Sequence, residues 1–521
     1  MEHWCRRPDS FANLSVADWK QLAIPLDERG RFSRCTMRDP PDASYAPKVV
    51  PCTSWEFDMD KYGNNIVSQW NLVCDRRWLI DVARLVYSAT CIISLPVSGV
   101  FADRVGRKTV IFITVPVVLI AGVGSSVPND FQFFVAVRAI VSAATSALVP
   151  PTYAVLIEVT PATKIAAYIT VGALLSFVMV PPTLLAAQIF KAGWAALQLL
   201  LMVPTCLLVF LYYGIEESPA WLLATGKAKE AERVSLRAAR LNRVSPQLCR
   251  ELLAQYQLEV GFNNHNAAEQ SGLCGSHLRT RTALLSFMWT ALSFAYDTFV
   301  SNDGVLVSDG VTAVGYTLSA VACLLGVPYV ERFGFKNIVV VSGVTFSATS
   351  AVLAITYSQD ETWLRDCLVV LMRTAGNVCI SFFICQTVGA YPEVTHCRAL
   401  ALCFAFSRLG ATLGQTSTAL LGDLHTDLRL AGAAALMSLF AVAAQVLPYE
   451  HDWVPQGRPK CGGRSNVASG DDMKRAMRDT LMPLPKEPIK RRSSRSSGRI
   501  SVGPEQYSTH SVQRSRSISL G

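Results

Sequence analysis

Long apolar runs separated by short polar turns fill the chain from Leu79 onward. The runs are Leu79 to Ala102, Thr109 to Val127, Phe131 to Tyr153, Lys164 to Ile189 and Trp194 to Gly214; after a polar stretch at 215–280 come Arg281 to Asn302, Gly310 to Val330, Asn337 to Tyr357, Leu364 to Val388, Ala399 to Leu421 and Leu430 to Leu447. Each is long enough to cross the ~30 Å hydrocarbon core of a bilayer as a helix. The pattern therefore predicts eleven spans, five and then six. The intervening 215–280 segment is rich in Lys and Arg between Lys227 and Arg250 and has helical apolar spacing, as expected of amphipathic helices lying beside a membrane. Residues 1–78 are polar with no spanning run, and the chain beyond Tyr449 is poor enough in apolar residues to read as disordered.

The tightest of the turns is Gly-Val-Phe-Ala-Asp-Arg-Val-Gly-Arg-Lys at Gly99 to Lys108. It returns at Val327 to Lys336, about 228 positions later, with Glu331, Arg332, Gly334 and Lys336 in register with Asp103, Arg104, Gly106 and Lys108, and with Phe335 in place of Arg107. A charged turn repeated between pairs of apolar spans suits a transporter built from two similar halves. Arg104, Arg107 and Lys108 put the turn on the cytoplasmic side. Counting alternately, the loops carrying Asp130, Asp303, Asp309, Asp360, Glu361, Asp423 and Asp427 hold no Lys or Arg and face outward. Residues 1–78 are then extracellular, and 215–280 and the 449–521 tail cytoplasmic.

Composition sharpens this picture. The 521 residues are 51% hydrophobic and 17% charged, well below the roughly one-quarter charged residues of soluble chains. The net charge of +9 lies in the predicted cytoplasmic loops and tail, where anionic lipid headgroups account for it, so no nucleic-acid partner is implied. Basic residues before serines, as in Arg491-Arg492-Ser493 and Arg514-Ser515-Arg516-Ser517, suit kinases as partners of the tail. Cys5, Cys35, Cys52 and Cys74 precede the first span and make two disulfides available in an extracellular segment, with connectivity left open, and Asn13 begins the sequon Asn-Leu-Ser. There is no His-x-x-x-His pair, no Gly-x-x-x-x-Gly-Lys loop and no Gly-x-Ser-x-Gly elbow, so no enzyme, metal or cofactor is predicted.

An ionisable side chain within a span costs about 2.5–3.5 kcal/mol on insertion scales and must face a cavity or a partner. Arg408, Arg373, Asp297 and Arg138 occupy such positions. Arg408, with Gly410 and Gly414 close by, offers a bidentate fork to a carboxylate or sulfate. Arg373 serves ligand or a structural ion pair, and Asp297 is a coupling or structural residue able to pair with either arginine. Trp289, Phe294 and Tyr296, with Phe383 and Phe404, are candidates to cup an organic ion.

Several motifs in one order resemble solute carrier family 22 of the major facilitator superfamily. They are the cysteine loop ending Asn65-Ile-Val-Ser-Gln-Trp-Asn-Leu-Val-Cys74, the turn Ala102-Asp-Arg-Val-Gly-Arg-Lys108, the segment Glu216-Glu217-Ser-Pro-Ala-Trp-Leu222, and prolines at Pro161 and Pro392. The resemblance implies an all-α fold of two helical bundles and a plasma-membrane glycoprotein that moves small organic ions by alternating access. It makes Asp103, Arg104, Gly106, Arg107, Lys108, Glu331, Arg332 and Glu217 gating residues. Arg408 matches the position where anion and carnitine-type members carry arginine, favouring organic anions or carnitine-like zwitterions; an organic cation substrate is the alternative. Arg138 matches an arginine that the superfamily keeps in its fourth span. The family has twelve spans and its cysteine loop follows the first, so about eleven of an expected twelve are present here. Ala220, Gly389 and Ser319-Ala-Val-Ala322 depart from the family's charged motifs. A truncated, non-transporting relative acting as a regulatory partner is a further alternative.

Overall fold

The computed structural model describes residues 2–447, apart from 27–29, 40, 42–47, 60–62, 128–129, 162–163, 192, 268–275, 307, 358–360, 392–394 and 422–425. The predicted disordered tail, Asp360, Asp423 and Pro392 lie outside the described residues.

Before the membrane helices stand two antiparallel strand pairs, β1 (His3–Cys5) with β4 (Trp55–Phe57) and β2 (Thr36–Asp39) with β3 (Lys48–Pro51). The short helices α1 (Val16–Ala23) and α2 (Ile66–Gln69) accompany them. Trp4, Trp19, Ala23 and Ile24 form a small core. Two disulfides settle the open connectivity: Cys5 with Cys52 and Cys35 with Cys74, at Cα separations of 5.5 and 5.6 Å. The segment docks through Trp70, which packs on Phe131, Phe134 and Trp194, and through the Trp194 N–H, which donates to the Asn64 carbonyl at 2.9 Å. Asn13 is exposed.

The spans of the first half are α3 (Trp78–Val105), α4 (Arg107–Gly124), α5 (Phe131–Val159), α6 (Ile165–Phe190) and α7 (Gly193–Thr205), the last prolonged by a 3-10 turn and α8 (Leu211–Gly214). Next come α9 (Pro219–Ala224), α10 (Ala228–Leu241) and α11 (Pro246–Ala267), then α12 (Ser276–Leu306), α13 (Asp309–Thr356), α14 (Thr362–Gly389), α15 (His396–Leu421) and α16 (Thr426–Val446). Ten of these helices are long and apolar enough to span. The 48 residues of α13 would extend about 72 Å as one rod, more than twice the hydrocarbon thickness. Gly334 interrupts it with φ +81°, so α13 is two spans and the total is the eleven predicted. Gly106, its counterpart, separates α3 from α4 with φ +117°. Both turns need the backbone region that glycine enters without a Cβ penalty.

The repeat extends along the halves. A shift of about 228 positions lays α5 on α14, α6 on α15 and α7 on α16. The packing is unequal. In the second half α12 lies against both α15 and α16. Gly410 and Gly414, one helical turn apart, let α15 approach the α12 backbone so closely that a Cβ on Gly414 would sit 2.7 Å from the Phe294 carbonyl oxygen. In the first half no described helix takes the corresponding place. In their most apolar stretches α15 and α16 are each 50% buried, α6 11% and α7 0%.

Candidate gate and binding residues

The turn at Gly106 is the centre of a buried charge cluster. Arg107 is fully buried and its Nη2 lies 3.1 Å from Glu158 Oε1 on α5 and 3.3 Å from Asp103 Oδ1 on α3. Across the boundary between the halves, Arg398 at the start of α15 donates to Asp103 Oδ2 from its backbone N at 3.1 Å and from Nε at 3.0 Å. His396, two residues earlier, brings Nδ1 to 3.2 Å from Glu158 Oε1. Gly99 makes this possible: a Cβ there would lie 2.5 Å from the Ala401 Cβ and 2.8 Å from the Cys397 carbonyl oxygen, so α3 and α15 touch at backbone distance. The halves are closed against each other at this end.

Helix α4 begins at Gly106, which has no side chain to cap it. Glu217 supplies the cap from outside: the N–H groups of Arg107 and Lys108 donate to its Oε1 and Oε2, each at 3.1 Å. A carboxylate at a helix N-terminus also meets the positive end of the helix dipole. Glu217 is held by the start of α9, where Ser218 accepts from the Trp221 N–H and Pro219 takes the first helical position. Trp221 in turn donates through Nε1 to the Asp103 carbonyl at 2.9 Å. Burial raises the Glu217 carboxyl above the usual glutamate range, opposed by the Ser218 and Lys108 N–H groups and by Arg107. Glu216 links Lys108, at 3.1 Å, to Arg237 on α10. A Cβ on Gly106 would lie 2.5 Å from Glu217 Oε2, so the glycine is needed for space as well as for its φ.

Five of the eight gating candidates thus converge: Asp103, Gly106, Arg107, Lys108 and Glu217. Arg104, Glu331 and Arg332 are exposed and make no ion pair among the described residues. The second copy of the turn differs chemically, since Phe335 replaces Arg107 and Gln386 stands where the repeat places Glu158; both are buried. His396 and Arg398 were missed in the sequence. Both occupy the first turn of an apolar run, where a positively charged residue ordinarily means no more than a membrane boundary.

The binding candidates separate into groups. Trp289, Phe383 and Phe404 form one aromatic cluster, with Trp289 4.8 Å from Phe383 and 5.3 Å from Phe404 between ring centroids; Tyr153 of the first half reaches Phe404 at 6.2 Å. Trp289 Nε1 donates to Thr387 Oγ1 at 3.0 Å. Arg373 is buried, its guanidinium 4.7 Å from the Tyr316 ring and 5.3 Å from Phe299. Nearby, the Tyr296 hydroxyl donates to Asn377 Oδ1 at 2.7 Å and Asn377 Nδ2 donates to Ser319 Oγ at 2.9 Å. Asn377 was not legible as a site residue because a lone amide in an apolar run carries no spacing signal. Phe294 lies at the close contact of α12 with α15. The Arg408 side chain is exposed and makes no hydrogen bond, ion pair or ring contact among the described residues. Asp297 accepts instead from Gln415 Nε2 at 2.9 Å, within electrostatic reach of Arg408. Arg138 places its guanidinium over the rings of Tyr87 and Phe134, at 5.3 and 5.9 Å.

The fold is two related helical halves, each with a glycine turn between two spans, and residues 63–416 match the family described as "Sugar (and other) transporter". The chain belongs to that family, within the solute carrier family 22 branch of the superfamily. Human solute carrier family 22 member 13 is 26% identical over 461 residues, covering 84% of this chain and 80% of the relative. Human organic cation/carnitine transporter 2 is 24% identical over 445 residues, covering 79% and 77%. The Drosophila melanogaster beta-alanine transporter is 25% identical over 334 residues, covering 57% and 55%. A solved structure of the proton:xylose symporter XylE shares the fold with a TM-score of 0.59 at 17% identity, over 74% of this chain and 89% of that one. The family is one of transporters, not enzymes, and the chain is a multi-pass membrane protein.

Proposed function

We propose that the protein carries small organic anions or carnitine-like zwitterions across the plasma membrane by alternating access. Arg408 carries this reading: its guanidinium lies inside a span, exposed, with Asp297 in electrostatic reach but no ion pair in contact among the described residues, which leaves its fork open to an anion. Its planar fork suits a carboxylate or sulfate. The names of the relatives, which include organic cation/carnitine and beta-alanine transporters, support an organic ion. The buried cluster at Arg107 latches the cytoplasmic face while the site opens outward. Arg408→Ala is expected to abolish uptake of para-aminohippurate and carnitine at unchanged surface expression; unaltered uptake removes Arg408 from the site.

A second reading is favoured by the weak burial of α6 and α7. In it, one more spanning helix packs on them, as α12 packs on α15 and α16, and the chain transports only when that helix is supplied. Uptake of para-aminohippurate, carnitine and tetraethylammonium by this chain, beside a version extended by one span, separates the two. Equal uptake by both discards the second reading; no uptake by either, with both at the surface, favours a regulatory, non-transporting role.

A further inference from the structure

We infer that the exposed face of α10 is a binding site for the phosphorylated headgroup of an anionic membrane lipid. The inference does not depend on what the protein carries; it takes only the cytoplasmic reading of residues 215–280, where the adjoining leaflet is anionic. Helix α10 packs on α9 and α11 and buries Ala231, Val234, Ser235 and Ala239. Lys229, Arg233, Arg237 and Arg240 follow one another at intervals of four, four and three positions, which stacks them on the opposite side of the helix. All four are exposed. Glu216 holds Arg237, whereas Lys229, Arg233 and Arg240 make no ion pair among the described residues. Of the two glutamates in α10, Glu232 is engaged by Arg250 of α11 and Glu230 stands at the N-terminal end.

Glu216 fixes the level and direction of this face. Helix α4 has 18 residues, about 27 Å, which is close to the thickness of the hydrocarbon core. Lys108, its second residue, therefore stands at the headgroup boundary. Glu216 Oε2 accepts from Lys108 Nζ at 3.1 Å and its Oε1 accepts from Arg237 Nη1. One carboxylate thus ties the middle of the α10 face to the membrane surface and turns it toward the bilayer. Leu241, one turn beyond Arg237, is 79% exposed. At this level a leucine among arginines has the acyl boundary to enter.

The chemistry of the face selects a phosphate. Three of its four cations are arginines, whose planar forks take phosphate oxygens in pairs. Four basic residues along an amphipathic helix at the cytoplasmic surface suit a lipid with more than one phosphate. The chain's own tail makes a poor occupant, since residues 449–521 carry twice as many basic as acidic residues and would be repelled. A lipid satisfies both parts of the face at once, with its phosphates on Arg233 and Arg240 and its acyl chains beside Leu241. Seated there, it lies one carboxylate away from Lys108 and the first glycine turn.

The test needs no transport substrate. The full chain in detergent micelles is titrated with phosphatidylinositol 4,5-bisphosphate carrying a fluorescent acyl chain, and binding is read as anisotropy. A basic residue near an anionic surface contributes about a factor of five in affinity, so Arg233→Gln with Arg240→Gln is expected to weaken binding about 30-fold. That double variant keeps Arg237, Glu216 and Lys108 as they are. Arg84→Gln with Arg250→Gln removes the same charge from exposed positions elsewhere and should leave the affinity within about twofold, because charges beyond a Debye length are screened. Leu241→Ser should weaken the lipid and leave the affinity for inositol 1,4,5-trisphosphate, the headgroup without its chains, unchanged. No binding by the wild type, or equal weakening by the two double variants, overturns the site. Inositol trisphosphate binding as tightly as the lipid would make this a site for a soluble phosphate, and displacement of the lipid by a polyglutamate peptide at equal concentration would make it one for an acidic protein segment; either result overturns the lipid assignment.

Discussion

Replacing Arg398 by alanine tests whether the charge cluster holds the two halves together. The side chain gives Asp103 one charge-assisted bond, Nε to Oδ2 at 3.0 Å, and such bonds contribute about 1.5–3 kcal/mol when well shielded. The Arg398 side chain is 32% exposed, so solvent screening takes the figure toward about 1–2 kcal/mol. Asp103 is not stranded, since Arg107 at 3.3 Å and the Arg398 backbone N at 3.1 Å remain. The loss falls on the closed state alone, so the open-to-closed ratio should rise about 5- to 30-fold at ~1.4 kcal/mol per factor of ten. Cys397 supplies the readout. It is fully buried beside Arg398 at the α3–α15 contact, and a maleimide reaches it only when the halves part. In inside-out vesicles its labelling rate should increase about tenfold in Arg398→Ala and stay near the wild-type rate in Arg398→Lys. Arg250→Ala, which breaks an exposed pair with Glu232 on the α10–α11 hairpin, should leave it unchanged. Labelling of Arg398→Ala at the wild-type rate would refute the latch.

Arg107→Leu leaves Asp103 and Glu158 without the guanidinium they share, and removal of one partner from a buried pair costs about 3–5 kcal/mol; the expected outcome is a lower melting temperature and less protein at the cell surface. Burial raises the folded pKa of Glu217 above its unfolded value. The folded chain then binds this proton more readily than the unfolded one, so stability falls as pH rises from about 4.3 through the folded pKa. Glu217→Gln should remove that slope from melting temperatures recorded across the window, and an identical slope in the variant would assign it to other groups. The Cys5–Cys52 bridge closes a loop of 47 positions, for which chain entropy gives about 4 kcal/mol. Cys5→Ala with Cys52→Ala should make residues 1–78 sensitive to external protease while the spans stay protected.

The spans were legible because a bilayer imposes one length on every crossing, and all eleven fall where the apolar runs do. The turn was legible because glycine with positive φ has few substitutes; Gly106 and Gly334 kept their register through the repeat. What stayed hidden depends on contacts distant in sequence. Nothing local distinguishes Arg104, which is exposed, from Arg107, which is fully buried. His396 lies 238 positions from Glu158, and no periodicity links them. Gly410 and Gly414 gave no local sign of what lies against them, and the Thr290 and Phe294 carbonyls show that α12 takes the space. Arg138 was placed only by its match to an arginine of the superfamily's fourth span, and nothing local pointed to its contacts, the Tyr87 and Phe134 rings.

The two glycine turns also show how a duplicated part acquires a division of labour. The first is wired to the 215–267 segment, since Glu217 caps α4, Trp221 bonds the Asp103 carbonyl and Glu216 joins Lys108 to Arg237. The second has Phe335 and Gln386 in the corresponding places, and the Lys336 ammonium donates only to the Gln445 carbonyl, at 2.7 Å, among the described residues. Whatever grips or modifies α9 to α11 therefore has a lever on the first of the two turns.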